Sequence, residues 1–412
     1  MPKNKIFQRD FDIKQSNLNA FSYTEVCYLC AMMKQWNGSS FKLGMLGGGQ
    51  LGRMFIQEAL NYDVHVHCMD PDKEAPCKNI ASSFTVGKLT DYDQVMDFGR
   101  DKDVLTVEIE HVNVSALYDL EKTGVRVFPQ PRVLEIVQDK GLQKQFYADN
   151  GIPTAPFKLL DSGKDLEENL PELPVVLKLR KGGYDGKGVQ VIRTQKDLTE
   201  AFDAPCIIEE MVPFTKELSV IVARNSRGET AVYPTVECEF SPTANLVEFL
   251  FSPADVSPET EKEATALALD VISKLDMVGL LAVELFLTAS GELLVNEIAP
   301  RPHNSGHHTI ECSLTSQFEQ HMRSILNAPL GNTELHSAGV MINLLGEPGH
   351  EGPANYEGLS DVMQMKGVKV HLYGKQATKP FRKMGHVTIY GDQLETVKLT
   401  GRKVSSTLKV VS

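Results

Sequence analysis

Short apolar runs alternate with segments of helical apolar period from residue 41 to about residue 128. The apolar runs predict strands at 42–46, 64–69, 104–107 and 125–128. A helix is predicted at about 51–60, and helical stretches lie between the later strands. Because strands that alternate with helices usually form parallel sheets, this part is predicted to be an α/β layer, a parallel sheet with helices on both faces.

The pattern changes after this layer. One helix is predicted at about 132–150, and Gly151 followed by Pro153 ends it. Six predicted strands follow in hairpin-like pairs, at 175–180, 189–193, 206–211, 218–223, 280–287 and 293–298. This order predicts an α+β region. From about residue 340 the chain shows short strands and few helical periods, which predicts a small β-rich C-terminal domain.

Composition and charge narrow the classes of function. The 412 residues imply two to four domains, and the net charge of −12 argues against a general binder of nucleic acid or of a membrane surface. We therefore expect small-molecule partners. The chain has no apolar run of about 18 residues and no basic segment before a short apolar one, so we expect a soluble cytoplasmic protein. Seven scattered cysteines favour free thiols in a reducing compartment.

Residues 1–40 show no clear apolar periodicity and are interpreted as an extension outside the core. Met33 is an alternative start, since the folded pattern begins a few residues later. Cys27 and Cys30 form a Cys-x-x-Cys pair, but a structural zinc site would need a second pair that the sequence lacks.

The first glycine-rich segment, 47–52 (GGGQLG), follows a predicted strand and opens a predicted helix. This spacing is typical of a dinucleotide-binding turn, and Asp70 lies about where such a fold places its ribose-binding acid. An NAD-dependent dehydrogenase is therefore one hypothesis. The alternative is that the glycines only permit a tight turn from strand to helix.

The second glycine-rich segment, 182–188 (GGYDGKG), lies between two predicted strands and lacks the Ser or Thr that follows a P-loop lysine. Its four glycines indicate a flap whose amides can close over phosphates. Lys178, on the incoming strand, can reach the same phosphates. An ordinary long hairpin turn is the alternative.

Two glutamates form the candidate metal site. If Ser290 and Gly291 are the central residues of a tight turn, Glu284 and Glu297 face each other across the hairpin. Opposed like charges destabilise a sheet, and a hard divalent cation would resolve the repulsion. The segment 301–308 (RPHNSGHH) follows and suits an anion; a zinc site is the competing hypothesis for its histidines.

The order of these features resembles that of ATP-grasp ligases, and more closely that of the 5-(carboxyamino)imidazole ribonucleotide synthases of purine biosynthesis. The resemblance rests on seven segments: 44–54 (GMLGGGQLGRM), 106–112 (TVEIEHV), 138–144 (QDKGLQK), 151–156 (GIPTAP), 182–188 (GGYDGKG), 296–306 (NEIAPRPHNSG) and 383–386 (KMGH). It implies three domains after the 1–40 extension: a Rossmann-like pre-ATP-grasp domain at 41–137, an ATP-grasp domain at 138–339 with a flap at about 152–212, and a C-terminal domain at 340–412.

The resemblance also implies the activity. The enzyme would use ATP to activate bicarbonate as carboxyphosphate and would carboxylate 5-aminoimidazole ribonucleotide, with ADP and phosphate as the other products. Mg²⁺ is the expected metal, with Mn²⁺ as the alternative. A homodimer is expected, and the chain's end predicts that the product passes to a separate mutase.

Site residues follow from the same resemblance. ATP would contact Lys140, Lys178, Gly183, Tyr184, Asp185, Gly186, Lys187, Gly188, Glu209, Glu210, Met211, Val212, Glu217, Asn296 and Glu297. Within this set the stretch 209–212 would hold adenine and Glu217 would bind the ribose. The ribonucleotide would contact Gln50, Glu108, Tyr184, Asp185, Lys187, Lys375 and Arg382, the last two at its phosphate. The predicted catalytic residues are Arg301, His303, Asn304 and Asp185, with bicarbonate near the first three, and the predicted metal ligands are Glu284 and Glu297.

The sequence departs from the family at a few positions. Lys187 stands where arginine is often found, and 238–240 (CEF) replaces an expected polar stretch. Another ATP-grasp carboxylase or ligase remains an alternative, although the biotinyl-lysine motif that a biotin carboxylase needs is not visible. The dehydrogenase is the alternative from a different class of enzyme.

Overall fold

The structure, a computed structural model, describes residues 36, 38, 40–168, 172–183, 187–240 and 246–412. Most of the predicted extension and the tip of the second glycine-rich segment lie outside this part of the chain. Of the extension's described residues, Trp36 packs against the core of the N-terminal layer.

The N-terminal layer is a parallel sheet of five strands with helices on both faces. Its elements are β1 (Leu43–Leu46), α1 (Gln50–Leu60), β2 (Val66–Asp70), β3 (Ser83–Val86), α2 (Tyr92–Gly99), β4 (Val104–Val107), α3 (Val114–Lys122) and β5 (Arg126–Val127). The spatial order is β3-β2-β1-β4-β5, and each neighbouring pair is parallel. The predicted α/β layer is confirmed.

Two helices follow where one was predicted. They are α4 (Pro131–Val137) and α5 (Lys140–Asp149). Asp139 separates them because its side chain accepts a hydrogen bond from the N–H of Gly141 (2.9 Å) and so caps α5. The same carboxylate pairs with Arg180 (2.8 Å), a residue 41 positions away. The prediction of one continuous helix is wrong because this cap competes with helix continuation.

An antiparallel sheet of four strands forms the flap region. Its strands are β6 (Phe157–Leu160), β7 (Val175–Leu179), β8 (Val189–Ile192) and β9 (Cys206–Glu210), in the order β6-β9-β7-β8. Strands β7 and β8 pair on either side of the second glycine-rich segment, as predicted. Leu177 and Ile208 lie in its small apolar core.

A larger antiparallel sheet carries the rest of the chain. Its first strands and the helices around them are β10 (Phe214–Arg224), β11 (Thr230–Val232), β12 (Val236–Phe240), β13 (Val247–Ser252), α6 (Pro258–Lys274), β14 (Gly279–Thr288), β15 (Leu293–Ala299), α7 (Thr309–Cys312) and α8 (Gln317–Ile325). Helix α6 packs on one face through residues such as Val271 and Ile272, while α8 packs with α1 under the N-terminal sheet.

The C-terminal segment continues the same sheet. Its elements are β16 (Ala338–Leu345), β17 (Gly352–Pro353), β18 (Asn355–Glu357), α9 (Leu359–Met363), β19 (Val368–Leu372), β20 (Ala377–Thr378), β21 (Lys383–Gly391), α10 (Leu394–Thr407) and β22 (Lys409–Val411). The order is β15-β14-β10-β12-β13-β16-β21-β19, with β11 beside β10. Strand β13 pairs with β16, so the central and C-terminal segments share one sheet.

Helix α10, with 14 residues, was not predicted. Val397, Gly401 and Val404 do recur at helical spacing and are buried. Gly401 and the five valines and threonines among the 14 residues of this helix have low helix propensity, which hid the period. Packing against β16 and β21 stabilises the helix instead.

The turn between β14 and β15 differs from the predicted one. Gly291 donates its N–H to the carbonyl of Thr288 (3.1 Å), and Thr288 donates to Glu292 (3.0 Å), so three residues connect the strands. Gly291 has φ of 86°, a conformation that favours glycine.

A bulge corrects the register farther along this hairpin. Leu287 pairs with Leu293 in the register of the three-residue turn, and skipping Asn296 then brings Glu284 opposite Glu297. The predicted facing of the two glutamates is confirmed, but it depends on the bulge rather than on a two-residue turn.

No helix in the described ranges has both the length and the apolar character needed to cross a bilayer.

Candidate active site

Backbone amides of the first glycine-rich segment, 47–52, donate hydrogen bonds to carboxylates of the chain itself. The N–H of Gly48 donates to Asp70 Oδ2 (2.7 Å), and the N–H of Leu51 donates to Glu108 Oε1 (3.1 Å). A Cβ atom at Gly49 would lie 2.5 Å from Glu108 Oε1, so glycine is needed there. These amides are therefore not free for a pyrophosphate. The geometry supports the tight turn and gives no support to the dehydrogenase hypothesis.

Glu108 and Glu110 follow β4 and face the segment after β15. Arg301 Nε lies 2.8 Å from Glu110 Oε1. Burial raises the pKa of Glu108, while the Arg301 charge and the backbone amides oppose that rise. The contact between Arg301 and Glu110 joins the N-terminal layer to the segment 301–308, where bicarbonate is predicted to bind.

The two predicted metal ligands differ in ionisation. Burial raises the pKa of Glu284 to about 7, and the neighbouring charges of Glu297 and Glu217 raise it further in the same direction. Burial also acts on Glu297, but Lys140 Nζ lies 2.6 Å from its Oε1 and holds its pKa below the ordinary value. Carboxylate oxygens are hard ligands of the kind that Mg²⁺ prefers, together with water and substrate phosphates.

A buried ion-pair network lies beside these ligands. Glu209 pairs with Lys178 (2.7 Å) and with Lys144 (2.8 Å), and Lys178 also donates to Asn296 Oδ1 (3.0 Å). Burial would raise the pKa of Glu209, but the two lysines outweigh burial and lower it. The Glu209 side chain is thus engaged in ion pairs, whereas Met211, nearby in the predicted adenine segment, is exposed.

Glu217, the predicted ribose ligand, lies on the same sheet face as Glu284. Ser219 pairs with Glu284 across β10 and β14, and Glu217 is two residues from Ser219. Burial raises the pKa of Glu217 to about 7, against the charge of Lys178. Two further residues of the predicted adenine stretch follow Glu209. Glu210 is exposed at the end of β9, and Val212 is half-buried beyond it.

The predicted catalytic segment lies partly in the site. His303 Nε2 is 3.5 Å from Glu284 Oε1, and its Nδ1 is 2.9 Å from Ser305 Oγ. Burial lowers the pKa of His303 to about 3, so the imidazole is neutral. His307 and His308 are each only 1% exposed and pack inside the protein, whereas His303 contacts a predicted metal ligand.

Asn304 is also held by another side chain. It exchanges two hydrogen bonds of 2.8 Å with Asn343 on β16. No cluster of three metal-ligating side chains of the histidine, cysteine or carboxylate type occurs in the part of the chain that the structure describes. The zinc hypothesis therefore gains no support.

Lys375 and Arg382 lie in one loop, which connects β19 to β21. Lys375 Nζ donates to the carbonyl of Lys383 (2.7 Å), and Arg382 Nη1 donates to the carbonyl of Ala377 (2.7 Å). Both predicted phosphate-binding cations therefore also fix the shape of this loop.

The same loop meets the start of α1. A Cβ atom at Gly374 would lie 3.7 Å from Arg53 Nη1, and Arg53 is three residues after the predicted substrate residue Gln50. The structure thus brings two distant parts of the predicted ribonucleotide site, the start of α1 and the C-terminal loop, to the same region.

The flap is described only in part. Gly183, Lys187 and Gly188 are described, with Lys187 exposed and Gly188 at φ 75°. The predicted contacts at Tyr184, Asp185 and Gly186 lie outside the described residues. The roles assigned to the flap stay predictions.

Sequence reasoning missed several residues that hold the site together. Glu110 and Lys144 belong to segments that carried the family resemblance, and their acidic and basic character was a usable signal. Gln317 and Asn343 gave no local signal because they contact the segment at 303–307 only through the tertiary fold.

Comparison with protein families gives three successive matches along the chain. The ribonucleotide synthetase preATP-grasp domain matches residues 41–138, and the ATP-grasp domain matches residues 145–318. The phosphoribosylaminoimidazole carboxylase C-terminal domain matches residues 339–400. The three-domain order implied by the resemblance is confirmed.

Two relatives illustrate the similarity in sequence. The N5-carboxyaminoimidazole ribonucleotide synthase of Bacillus subtilis is 38% identical over 353 residues, which cover 84% of this chain and 90% of the relative. The chloroplastic phosphoribosylaminoimidazole carboxylase of Vigna aconitifolia is 39% identical over 367 residues, covering 86% of this chain and 65% of the relative. The chain thus spans less than two thirds of the second relative.

Solved structures agree in fold. The N5-carboxyaminoimidazole ribonucleotide synthetase of Thermotoga maritima gives a TM-score of 0.83 at 42% identity, covering 90% of this chain and 99% of that one. The synthase of Aspergillus clavatus, in complex with ADP and 5-aminoimidazole ribonucleotide, gives 0.81 at 31% identity, with 90% and 99% covered.

Proposed function

Because this chain belongs to the N5-carboxyaminoimidazole ribonucleotide synthase family, we propose that it is an ATP-dependent ligase that carboxylates the exocyclic amine of 5-aminoimidazole ribonucleotide with bicarbonate. The observation that carries the proposal is the hairpin on which Glu284 faces Glu297, with Lys140 and Lys178 directed at the same place. This is an arrangement for binding a metal together with phosphates.

The first step transfers a phosphoryl group. A bicarbonate oxygen forms a bond to the γ-phosphorus of ATP while the bond to the leaving ADP oxygen breaks, which gives ADP and carboxyphosphate. Lys140 and Lys178 would neutralise the phosphate oxygens, and Arg301, oriented by Glu110, would hold the bicarbonate. The protein's contribution is therefore placement and charge.

The donors at this site fit a magnesium ion. Glu284 and Glu297 would hold it through carboxylate oxygens, with manganese as the alternative. When bound, the ion would supply positive charge to the transferring phosphoryl group. Glu284, with its pKa of about 7, would release its proton to become a ligand.

The second step forms the carbon–nitrogen bond. Carboxyphosphate divides into carbon dioxide and phosphate, and the phosphate keeps the proton of the bicarbonate. The amine nitrogen then bonds to the carbon of carbon dioxide and loses one proton, which the hydrogen phosphate released from carboxyphosphate accepts. With a pKa of about 3, His303 is a weak base, so its role is to orient neighbouring groups by hydrogen bonds. The flap at 182–188 would exclude water from this step.

An ADP-release assay with labelled bicarbonate tests the proposal. The complete mixture of ATP, Mg²⁺, bicarbonate and ribonucleotide should form ADP and fix label into the ribonucleotide, and omission of any substrate should abolish labelled product. Glu297→Gln should lower turnover by at least about a hundredfold because a metal ligand is lost. A nicotinamide absorbance change, or ADP formation without fixed label in the complete mixture, would contradict the proposal.

The cellular context belongs to the same proposal. The described cysteines are free thiols, which suits a reducing compartment such as the cytoplasm. We infer that the carbamate product passes to a separate mutase and that the protein forms a homodimer. Sedimentation of the purified protein measures the second point, and a coupled assay with added mutase measures the first.

A further inference from the structure

Three polar side chains form a row across adjacent strands of the C-terminal segment. Asn343 on β16 pairs with His386 on β21, and His386 pairs in turn with His371 on β19. Cross-strand partners point to the same face of a sheet, so the three side chains lie side by side. The opposite face packs against α10 through Val340 and Ile389.

The row meets a helical segment, residues 304–312, which begins at Asn304 directly after the predicted bicarbonate residues Arg301 and His303. Asn343 exchanges two 2.8 Å hydrogen bonds with Asn304 and also donates to the carbonyl of Val247 (2.9 Å). The ring of His386 lies 4.7 Å from the ring of His307, centroid to centroid.

The third strand makes the third contact. His371 Nε2 lies 2.7 Å from Glu311 Oε1, and the rings of His371 and His386 stack at 4.4 Å with an angle of 7°. The partners at 304, 307 and 311 are spaced three and four residues apart, so one face of a helical segment lies across the row. We call these six residues the polar seam: Asn343, His386, His371, Asn304, His307 and Glu311.

On its other side, the start of the helical segment lies beside the predicted metal ligands. His303 reaches Glu284 at 3.5 Å. Gln317 accepts from the N–H of His303 (2.9 Å), donates to its carbonyl (2.7 Å) and lies 3.1 Å from His307 Nδ1. His303 and His307 are thus tied together by Gln317, and the polar seam fixes His307 against the C-terminal strands.

The row also adjoins the predicted ribonucleotide loop. Strands β19 and β21 flank the loop that holds Lys375 and Arg382, and Lys375 Nζ donates to the carbonyl of Lys383 at the start of β21. Tyr373, the residue after β19, places its hydroxyl 3.0 Å from His386 Nδ1. The same two strands therefore meet both halves of the predicted site.

We propose that Asn343 and His386 are positioning residues for carboxylation, which hold the bicarbonate segment at a fixed place relative to the ribonucleotide loop. The proposal rests on the proposed function. With the seam intact, carbon dioxide released beside His303 meets the amine of the ribonucleotide whose phosphate Lys375 and Arg382 hold. With the seam loosened, ATP is still cleaved but carbon dioxide escapes before the amine captures it.

Ordinary core packing accounts poorly for the seam. His386 is fully buried, and its Nε2 atom has no hydrogen-bond partner within the described part of the chain. A buried polar atom without a partner is destabilising, so an apolar residue would serve the core better. Paired amides and stacked rings, in contrast, permit one alignment of two segments where apolar side chains would permit sliding.

The test measures labelled carboxylated ribonucleotide formed per ADP. Asn343→Leu removes the amide pair at similar volume, and we expect this ratio to fall by at least about threefold while the KM for ATP stays within about twofold. Asn343→Ser carries the same expectation and is used if the leucine variant does not fold. Circular dichroism and urea unfolding confirm the fold of each variant.

His386 supplies a second, matched comparison. His386→Phe keeps a ring between His307 and His371 and should keep the ratio, whereas His386→Leu removes the ring and should lower it. Thr388→Val is the control, because Thr388 is buried two residues along the same strand and makes no hydrogen bond through its hydroxyl among the described residues. It should keep both rate and ratio.

The outcomes separate the two proposals. Variants at Asn343 and His386 that lose rate but keep the wild-type ratio would overturn the positioning role alone. A ratio that falls equally in Thr388→Val would also overturn it, because general loosening of the sheet would then be the cause. A wild-type protein that fixes no bicarbonate would instead contradict the proposed function itself.

Discussion

At the scale of single residues, the two glutamates that face each other on the metal hairpin differ in ionisation. Glu284 and Glu297 are cross-strand partners, and Lys140 lies within ion-pair distance of Glu297. Repulsion between the two is therefore relieved by the protonation of Glu284, whose pKa is about 7, rather than shared equally. The charge state of this site depends on which glutamate Lys140 reaches.

Glu284→Gln should stabilise the metal-free protein at high pH. The carboxyl has a pKa of about 7 when folded and 4.5 as the ordinary value, so its protonation favours folding fully below pH 4.5, and this stability is lost as pH rises through 7. The glutamine variant should be equal in stability at pH 4.5 and more stable at pH 8. A third of the side chain is exposed, so about 1–2 kcal/mol is expected.

Urea unfolding at several pH values, with a chelator present, measures this effect. Glu297→Gln is the matched comparison, since it breaks the ion pair with Lys140 and should not gain stability at pH 8. A Glu284→Gln variant that is no more stable than wild type at pH 8 would show that the carboxylate is well solvated.

The buried network at Glu209 gives a second prediction at this scale. Glu209→Leu leaves Lys144 and Lys178 without their shared partner, and the free energy of unfolding should fall by about 3–5 kcal/mol. Lys144→Met should cost less because Glu209 keeps Lys178. Urea denaturation of the two variants at pH 7 measures the order, and equal losses would contradict the network.

At the scale of elements, a turn and a bulge act together to place the metal site. The three-residue turn at Gly291 sets one register, and the bulge at Asn296 changes it before the glutamates. Asn296 itself accepts a hydrogen bond from Lys178, so the bulged residue also contributes to the phosphate side. The bulge in the hairpin therefore lies at a predicted ATP-binding residue, as bulges often lie next to active sites.

Gly291→Ala should destabilise the protein by about 1–2 kcal/mol, because alanine is strained at φ 86°. Apart from the two neighbours of Gly291 in the chain, no atom of the described residues lies within 4 Å of the added Cβ, so backbone strain is the expected cause. Gly291→Asn is the control and should cost less, since asparagine tolerates this conformation. Thermal unfolding measures both, and an alanine variant as stable as the asparagine variant would contradict the argument.

At the scale of the whole molecule, charge is distributed unevenly. Residues 361–412 carry ten Lys and Arg against three Asp and Glu, although the chain as a whole has a net charge of −12. A basic region on an acidic protein attracts anionic ligands toward itself. Because the central and C-terminal segments share one sheet, this basic region lies in a fixed relation to the metal hairpin.

Arg382→Ala should raise the KM for the ribonucleotide by at least about tenfold, through loss of a charge-assisted phosphate contact. The KM for ATP should stay nearly constant. Lys379→Ala removes a charge of the same sign from the same loop and is the control, with little effect expected. Steady-state titration of both substrates measures these values, and an equal rise in both for Arg382→Ala would assign the residue to the fold.

Much of the site was predictable where its residues are close in the chain. The strand-to-helix turn at 47–52 and the strands flanking the flap followed from local spacing. The facing of Glu284 and Glu297 was also predicted, although a three-residue turn and a bulge produce it instead of the assumed two-residue turn. The break at Asp139 and helix α10 were not predicted, because a cap shared with Arg180 and packing against a distant sheet decided them.

The sequence by itself determined the family, the order of the three domains and the strand-to-helix turn at 47–52, because neighbouring residues and their spacing fix such local features. Only the tertiary structure decided which charges meet: Lys140 with Glu297, Glu209 with two lysines, and Asn304 with Asn343. Such pairs join residues far apart in the chain. Their partners are selected by how whole sheets pack, and burial then makes each selection energetically important.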